Sequence, residues 1–71
     1  MNASDRSRTE WPELVGVNVD EATLRIHADD PTLIIAAIPN GSAVTTDHRT
    51  DRVRLWFDEA TQTVSQVPRI G

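Results

Sequence analysis

Hydroxyl and imidazole side chains lie close together between residues 42 and 48. Ser42, Thr45 and Thr46 carry hydroxyl groups, and His48 carries a ring that can act as a base. A hydrolytic site also needs these groups to converge beside an oxyanion hole. In an extended segment, Thr46 and His48 would share one side of an exposed ridge that has no pocket. We therefore predict that the protein is not an enzyme and that His48 is a solvated loop residue.

Arginines and aspartates interleave in and directly after this segment. Arg49, Arg52 and Arg54 alternate with Asp47 and Asp51. Carboxylates oppose phosphate binding, and the net charge of −4 provides no basic surface, so we expect no nucleic-acid partner. Guanidinium groups form bidentate hydrogen bonds to carboxylates and carbonyls, so the cluster could stiffen a loop. The alternative is a solvated, charged strand face, and composition alone favours that alternative.

The composition excludes several classes of site. The chain of 71 residues contains no cysteine, so neither disulfides nor thiolate metal sites can form. His27 and His48 show no ligand spacing, and we expect no metal and no cofactor. The glycines at 16, 41 and 71 are too far apart for a phosphate-binding loop. No apolar run has the length to cross a membrane, so we expect no membrane partner.

The N-terminal residues 1–10 are polar and predict a disordered tail, followed by one domain over residues 11–71. These residues contain no apolar stretch typical of a signal peptide. The location is unknown from the sequence: the protein is secreted if a signal peptide was removed and is cytoplasmic otherwise.

One helix is predicted over residues 19–29. Asn18 suits the N-cap position, and Glu21 follows at the spacing of a capping box. Pro31 ends the helix, because a residue before proline avoids the helical conformation. The apolar stripe that faces the core comprises Val19, Ala22, Thr23 and Ile26.

Three strands are predicted after the helix. Residues 32–38 form a nearly continuous apolar run, typical of a parallel strand buried on both faces. Residues 51–57 alternate between apolar and polar side chains, as a half-buried strand does. Residues 64–67 predict a short strand that pairs with the preceding one as a hairpin. We predict an α+β fold with a single helix packed on a small mixed β-sheet.

Four short segments of the chain form a recognisable set: residues 11–16 (WPELVG), 41–45 (GSAVT), 51–55 (DRVRL) and 66–71 (QVPRIG). They resemble the potato inhibitor I family of serine protease inhibitors. Each is weak alone, but together, in order and over so short a chain, they are specific; the resemblance spans residues 11–71. It implies an extended, exposed loop that binds a protease, without a disulfide to hold it.

The resemblance also implies the roles of individual residues. Thr46 would occupy the primary specificity site, with the Thr46–Asp47 peptide as the reactive bond. The protease-binding loop would consist of Val44, Thr45, Thr46, Asp47, His48 and Arg49. Its support would come from Arg52, Arg54 and Gly71, with help from Arg49.

The implied partner is a serine endopeptidase of the subtilisin, elastase or chymotrypsin type. Thr46 is small and uncharged, which favours a shallow specificity pocket, as in subtilisin-like or elastase-like enzymes, and disfavours trypsin. We expect a monomer. The alternative function is a non-inhibitory protein-binding module on the same fold, and a small hydrolase is a third, disfavoured possibility.

Overall fold

The computed structural model describes residues 8–71. After a 3-10 turn at Pro12–Leu14, the chain forms one helix, α1 (Val19–Asp29), and four strands. The strands are β1 (Ile34–Pro39), β2 (Arg52–Asp58), β3 (Thr63–Val64) and β4 (Arg69–Ile70). The observed architecture is the predicted α+β fold, with one helix on a small mixed sheet.

Helix α1 has the bounds that the sequence predicts. The side-chain oxygen of Asn18 accepts hydrogen bonds from the backbone N–H groups of Asp20 (2.9 Å) and Glu21 (3.4 Å). These bonds satisfy donors that a helix N-terminus otherwise leaves unpaired. The predicted stripe faces the core, with Val19, Ala22 and Ile26 buried and Thr23 half-buried.

Strand β2 is the centre of the sheet. It pairs in parallel with β1, with Ile34 opposite Arg52, and antiparallel with both β3 and β4. The predicted alternation is confirmed, because Val53 and Leu55 are fully buried whereas Arg52 and Arg54 lie on the opposite face. Strand β4 was not predicted from the sequence, because a strand of two residues shows no periodicity.

The prediction that residues 32–38 are buried on both faces is wrong. Leu33, just before β1, is buried, but Ile34 is 55% exposed and Ala37 is exposed. The physical reason is that a single helix covers only one face of the sheet, and β1 has a neighbour on only one side. The core instead consists of Trp11, Leu14, Val19, Ala22, Ile26, Leu33, Val53, Leu55 and Val64.

Residues 8–10 belong to the folded part of the chain, although they were predicted to lie in the disordered tail. The Thr9 carbonyl accepts a hydrogen bond from the Ile70 N–H (2.9 Å), and Glu10 forms a β-bridge with Arg69. The Arg8 guanidinium lies 5.4 Å from the centre of the Trp11 ring. Residues 1–7 of the predicted tail lie outside the described residues, so for them the tail stays a prediction.

The position of Leu55 predicts its contribution to stability. Leu55→Ala should lower the free energy of unfolding by about 2–5 kcal/mol, because it removes fully buried methyl groups and leaves a cavity. Urea unfolding followed by tryptophan fluorescence measures this change. The matched control is Leu24→Ala on helix α1, where the side chain is 69% exposed and the effect should be small. Equal losses in the two variants would contradict the described core.

Candidate functional site

An exposed connection joins β1 to β2. Because the two strands are parallel, the chain must return along the sheet before β2 begins. A turn starts this return, with the Ser42 N–H donating to the Pro39 carbonyl (3.2 Å). Residues 43–49 then run without helix or strand, and every residue from 40 to 50 is exposed.

Arg54 holds the connection at Thr45. One nitrogen of its guanidinium, Nη2, donates to the main-chain carbonyl of Thr45 (2.6 Å) and to the Thr45 hydroxyl (3.1 Å). The same nitrogen lies 3.8 Å from a carboxylate oxygen of Asp47. Arg54 can reach this segment because it projects from the face of β2 that helix α1 does not cover.

Arg52 holds the connection at Asp47. Its Nη2 donates to the main-chain carbonyl of Asp47 (2.9 Å), and its Nη1 lies 3.4 Å from the Asp47 carboxylate. Its Nε donates to the carbonyl of Gly71 (2.8 Å), and the Gly71 N–H donates back to the carbonyl of Arg52 (2.8 Å). Gly71 follows β4, so this strand fixes the direction in which the Arg52 side chain extends.

The residue between these two tethers is held only through its neighbours. Within the described part of the chain, Thr46 makes no hydrogen bond, and its side chain is exposed. The two arginine side chains are much less accessible, at 15% for Arg52 and 20% for Arg54. The site therefore presents one free residue between two held carbonyl groups.

The carboxylate of Asp47 is stabilised in its charged form. A hydrogen bond from the Thr45 hydroxyl lowers the pKa of Asp47 below its usual value, and the positive charges of Arg52 and Arg54 lower it further. Asp47 thus remains ionised at neutral pH and links both arginines to the connection.

Arg49 and His48 have different surroundings from these residues. Arg49 forms a bidentate pair with Asp51 (3.0 and 2.9 Å), which lowers the pKa of the Asp51 carboxyl. Arg49 therefore contacts the end of the connection rather than the segment around Thr46. The His48 ring lies beside Gly71, where a Cβ atom would be only 3.4 Å from Nδ1.

The surface of residues 8–71 is open around this connection. This part of the chain contains no surface pocket and no group of three or more residues capable of holding a metal ion. Its only α-helix is too short and too polar to cross a lipid bilayer. What the arrangement can do is hold an exposed stretch of backbone through two of its carbonyl groups.

The comparisons with known proteins agree with this geometry. The model of the potato inhibitor I family matches residues 2–71. The chain belongs to this family. It is therefore a serine protease inhibitor and not an enzyme. The resemblance seen in the four short segments is confirmed.

Two relatives and one solved structure illustrate the family. Subtilisin inhibitor CLSI-I from Canavalia lineata is 44% identical over 64 residues, which cover 90% of this chain and 95% of the relative. Eglin C from Hirudo medicinalis is 38% identical over 61 residues, covering 86% and 87% of the two chains. The crystal structure of bitter gourd trypsin inhibitor superposes with a TM-score of 0.84 at 38% identity, covering 90% of this chain and 93% of that one.

One contact at the base of the connection was missed by sequence reasoning. The Ser65 hydroxyl donates to the side-chain oxygen of Asn40 (2.6 Å), across 25 positions of the chain. No pattern in the sequence marks such a pair, because it depends on how the residues after β3 pass the end of β1.

The pKa of Asp47 predicts the effect of removing the neighbouring hydroxyl. Thr45→Val keeps the shape of the side chain and should raise the pKa of Asp47 towards its usual value. Side-chain carbon NMR during an acid titration measures it. Because the folded-state pKa is depressed, the stabilisation from Asp47 is present above the pKa of the unfolded chain. It is lost as the pH falls through the folded-state value.

Asp51 provides the control within the same molecule. Its pKa is lowered mainly by Arg49, so its titration midpoint should be unchanged in Thr45→Val. An Asp47 midpoint that does not move would show that the hydroxyl does not stabilise this carboxylate.

Proposed function

We propose that residues 44–49 are the protease-binding loop and that Thr46–Asp47 is the reactive bond. The observation that carries this proposal is that the carbonyls on either side of Thr46 are each held by a separate arginine of β2. Such a loop enters an active-site cleft as a substrate does, pairing its extended backbone with the edge of the cleft.

The two tethers account for inhibition rather than cleavage. When the protease serine attacks the Thr46 carbonyl, the acyl side remains tethered through Thr45 and the amine side through Asp47. The new amino group of Asp47 therefore stays beside the acyl-enzyme at high effective concentration, which favours re-formation of the peptide bond. Because the loop is ordered before binding, little conformational entropy is lost in the complex.

Thr46 is the basis for the proposed target class. A short, β-branched side chain leaves a deep aromatic-binding pocket partly empty and offers no charge to an acidic one. A shallow pocket, as in subtilisin-like or elastase-like proteases, fits it better. The relative from Canavalia lineata is named a subtilisin inhibitor, which agrees with this proposal.

We also propose that the inhibitor acts as a monomer, which light scattering would check.

The arginine tethers predict how the inhibitor can be converted into a substrate. Purified chain should inhibit subtilisin or elastase tightly and trypsin weakly. In Arg52→Ala/Arg54→Ala the inhibition should weaken at least roughly tenfold, because each arginine contributes charge-assisted hydrogen bonds. The variant should also be cleaved at Thr46–Asp47. Enzyme titrations and mass spectrometry of the products measure both effects.

The matched control removes two positive charges at positions away from the connection. Arg25→Ala/Arg69→Ala deletes two exposed arginines that pair with Glu21 and Glu10 and should inhibit like the wild type. Equal weakening in the two double variants would exclude a specific role for the tethers. If no protease of a panel that also includes chymotrypsin is inhibited, the non-inhibitory binding module becomes the better account.

The assignment of Thr46 to the specificity site predicts a gain of function. Thr46→Leu should strengthen inhibition of chymotrypsin by roughly tenfold or more, because added apolar groups fill its deep pocket. Inhibition constants measure the gain. Thr50→Leu, at the exposed end of the same connection, is the control and should leave inhibition unchanged. A gain confined to the Thr50 variant would move the specificity site away from Thr46.

A further inference from the structure

The dipeptide Asn40–Gly41 lies outside the proposed protease-binding loop, at the start of the connection between β1 and β2. The sequence contains three asparagines, Asn2, Asn18 and Asn40, and of these Asn40 alone precedes a glycine. Both residues are exposed and form the middle of the turn that begins the loop.

The backbone nitrogen of Gly41 is accessible. In residues 8–71 its N–H makes no hydrogen bond, because the turn is closed by the Ser42 N–H instead. Gly41 has φ +86°, and a Cβ atom placed on it would meet nothing within 4 Å. No side chain therefore prevents this nitrogen from approaching the carboxamide of Asn40.

The carboxamide of Asn40 is polarised by its contact with Ser65. The Ser65 hydroxyl donates to the Asn40 side-chain oxygen at 2.6 Å. A hydrogen bond to a carbonyl oxygen stabilises the negative charge that develops there when a nucleophile attacks the carbon. The nucleophile and the polarised carbonyl belong to adjacent residues of one exposed turn.

We propose that Asn40–Gly41 is a site of spontaneous deamidation in the folded protein. The Gly41 nitrogen, losing its proton to solvent base, bonds to Cγ of Asn40, and the Cγ–Nδ2 bond breaks to release ammonia. Water then opens the resulting succinimide. Hydrolysis at the side-chain carbonyl gives aspartate, and hydrolysis at the main-chain carbonyl gives isoaspartate, in which the chain runs through Cβ and Cγ.

Isoaspartate would change the base of the loop. The Asn40 N–H extends the pairing of β1 and β2 by donating to the Phe57 carbonyl (2.9 Å). The isoaspartyl link inserts one additional carbon between this anchor and Gly41, four residues before Thr45. The loop then has extra length between the β1 anchor and the Arg54 tether, so its conformation is less restricted. The effect on inhibition rests on the proposed function, whereas the chemistry at Asn40 does not.

The chemistry is tested by ageing the full chain at mildly alkaline pH. We expect the mass gain of one deamidation, with peptide mapping that places isoaspartate at position 40. Asn18 is the internal control and should stay unmodified. Its side chain is engaged in capping helix α1, and the Val19 side chain hinders attack by the Val19 backbone nitrogen. Asn40→Gln should not gain mass at this position, and Ser65→Ala should gain it more slowly than the wild type.

Two results would contradict deamidation at Asn40. An unmodified Asn40 after prolonged ageing would reject it, and so would equal deamidation at Asn18. An unchanged rate in Ser65→Ala would remove Ser65 from the proposal.

The consequence is tested on the separated isoaspartyl form. It should inhibit subtilisin or elastase several-fold more weakly than fresh protein and should be cleaved faster. Asn40→Asp, which adds the charge without the extra carbon, should inhibit like fresh protein. Full inhibition by the isoaspartyl form would overturn the effect on the loop. Failure of fresh wild type to inhibit would refute the proposed function alone, since the mass gain is measured without a protease.

Discussion

The parallel pairing of β1 and β2 is the constraint on which the rest of this molecule depends. Parallel neighbours require a connection that returns the full length of the strands, and a helix usually provides it. Here helix α1 precedes both strands, so the connection over residues 40–51 has no regular structure of its own. The fold thereby creates an exposed segment. Side chains on the face of the sheet that helix α1 does not cover contact this segment and order it.

Charged donors provide that order in a chain without disulfides. Exposed ion pairs contribute little because water screens them, and the pair between Arg49 and Asp51 is of that kind. Hydrogen bonds from a guanidinium to main-chain carbonyls are stronger than those between neutral groups, because the donor is charged. Arg52 and Arg54 form such bonds from half-buried positions on a central strand. Their stems are fixed by the sheet, so the two carbonyls they hold are fixed as well.

The first described residues, around Glu10 and Trp11, and the C-terminal Gly71 support this arrangement. Gly71 orients Arg52 from the end of β4, and the segment around Glu10 covers β4 in turn. Trp11 is buried under Arg8 and donates its indole N–H to Asp29 (2.8 Å), so the N-terminal segment is joined to the end of helix α1. A core this small depends on such contacts because it buries few side chains.

Much of the fold and part of the site could be predicted from the sequence, because local rules decide them. The N-cap at Asn18 and the apolar stripe set the bounds of helix α1, and the alternation of residues 51–57 set the two faces of β2. The family resemblance singled out Arg52, Arg54 and Gly71, which contact one another or the connection, and their role as supports of a protease-binding loop stays a proposal.

Tertiary structure decided what depends on distant neighbours. The exposure of Ile34 followed from the single helix and the edge position of β1, which a continuous apolar run does not reveal. Arg49 binds Asp51, and Ser65 binds Asn40, because the path of the loop places these groups together. The sequence by itself determined helix α1 and the alternating strand β2, since capping and periodicity act over a few positions. Only the folded chain decided which carbonyl each arginine holds, because that depends on bringing β1, β2 and β4 into one sheet.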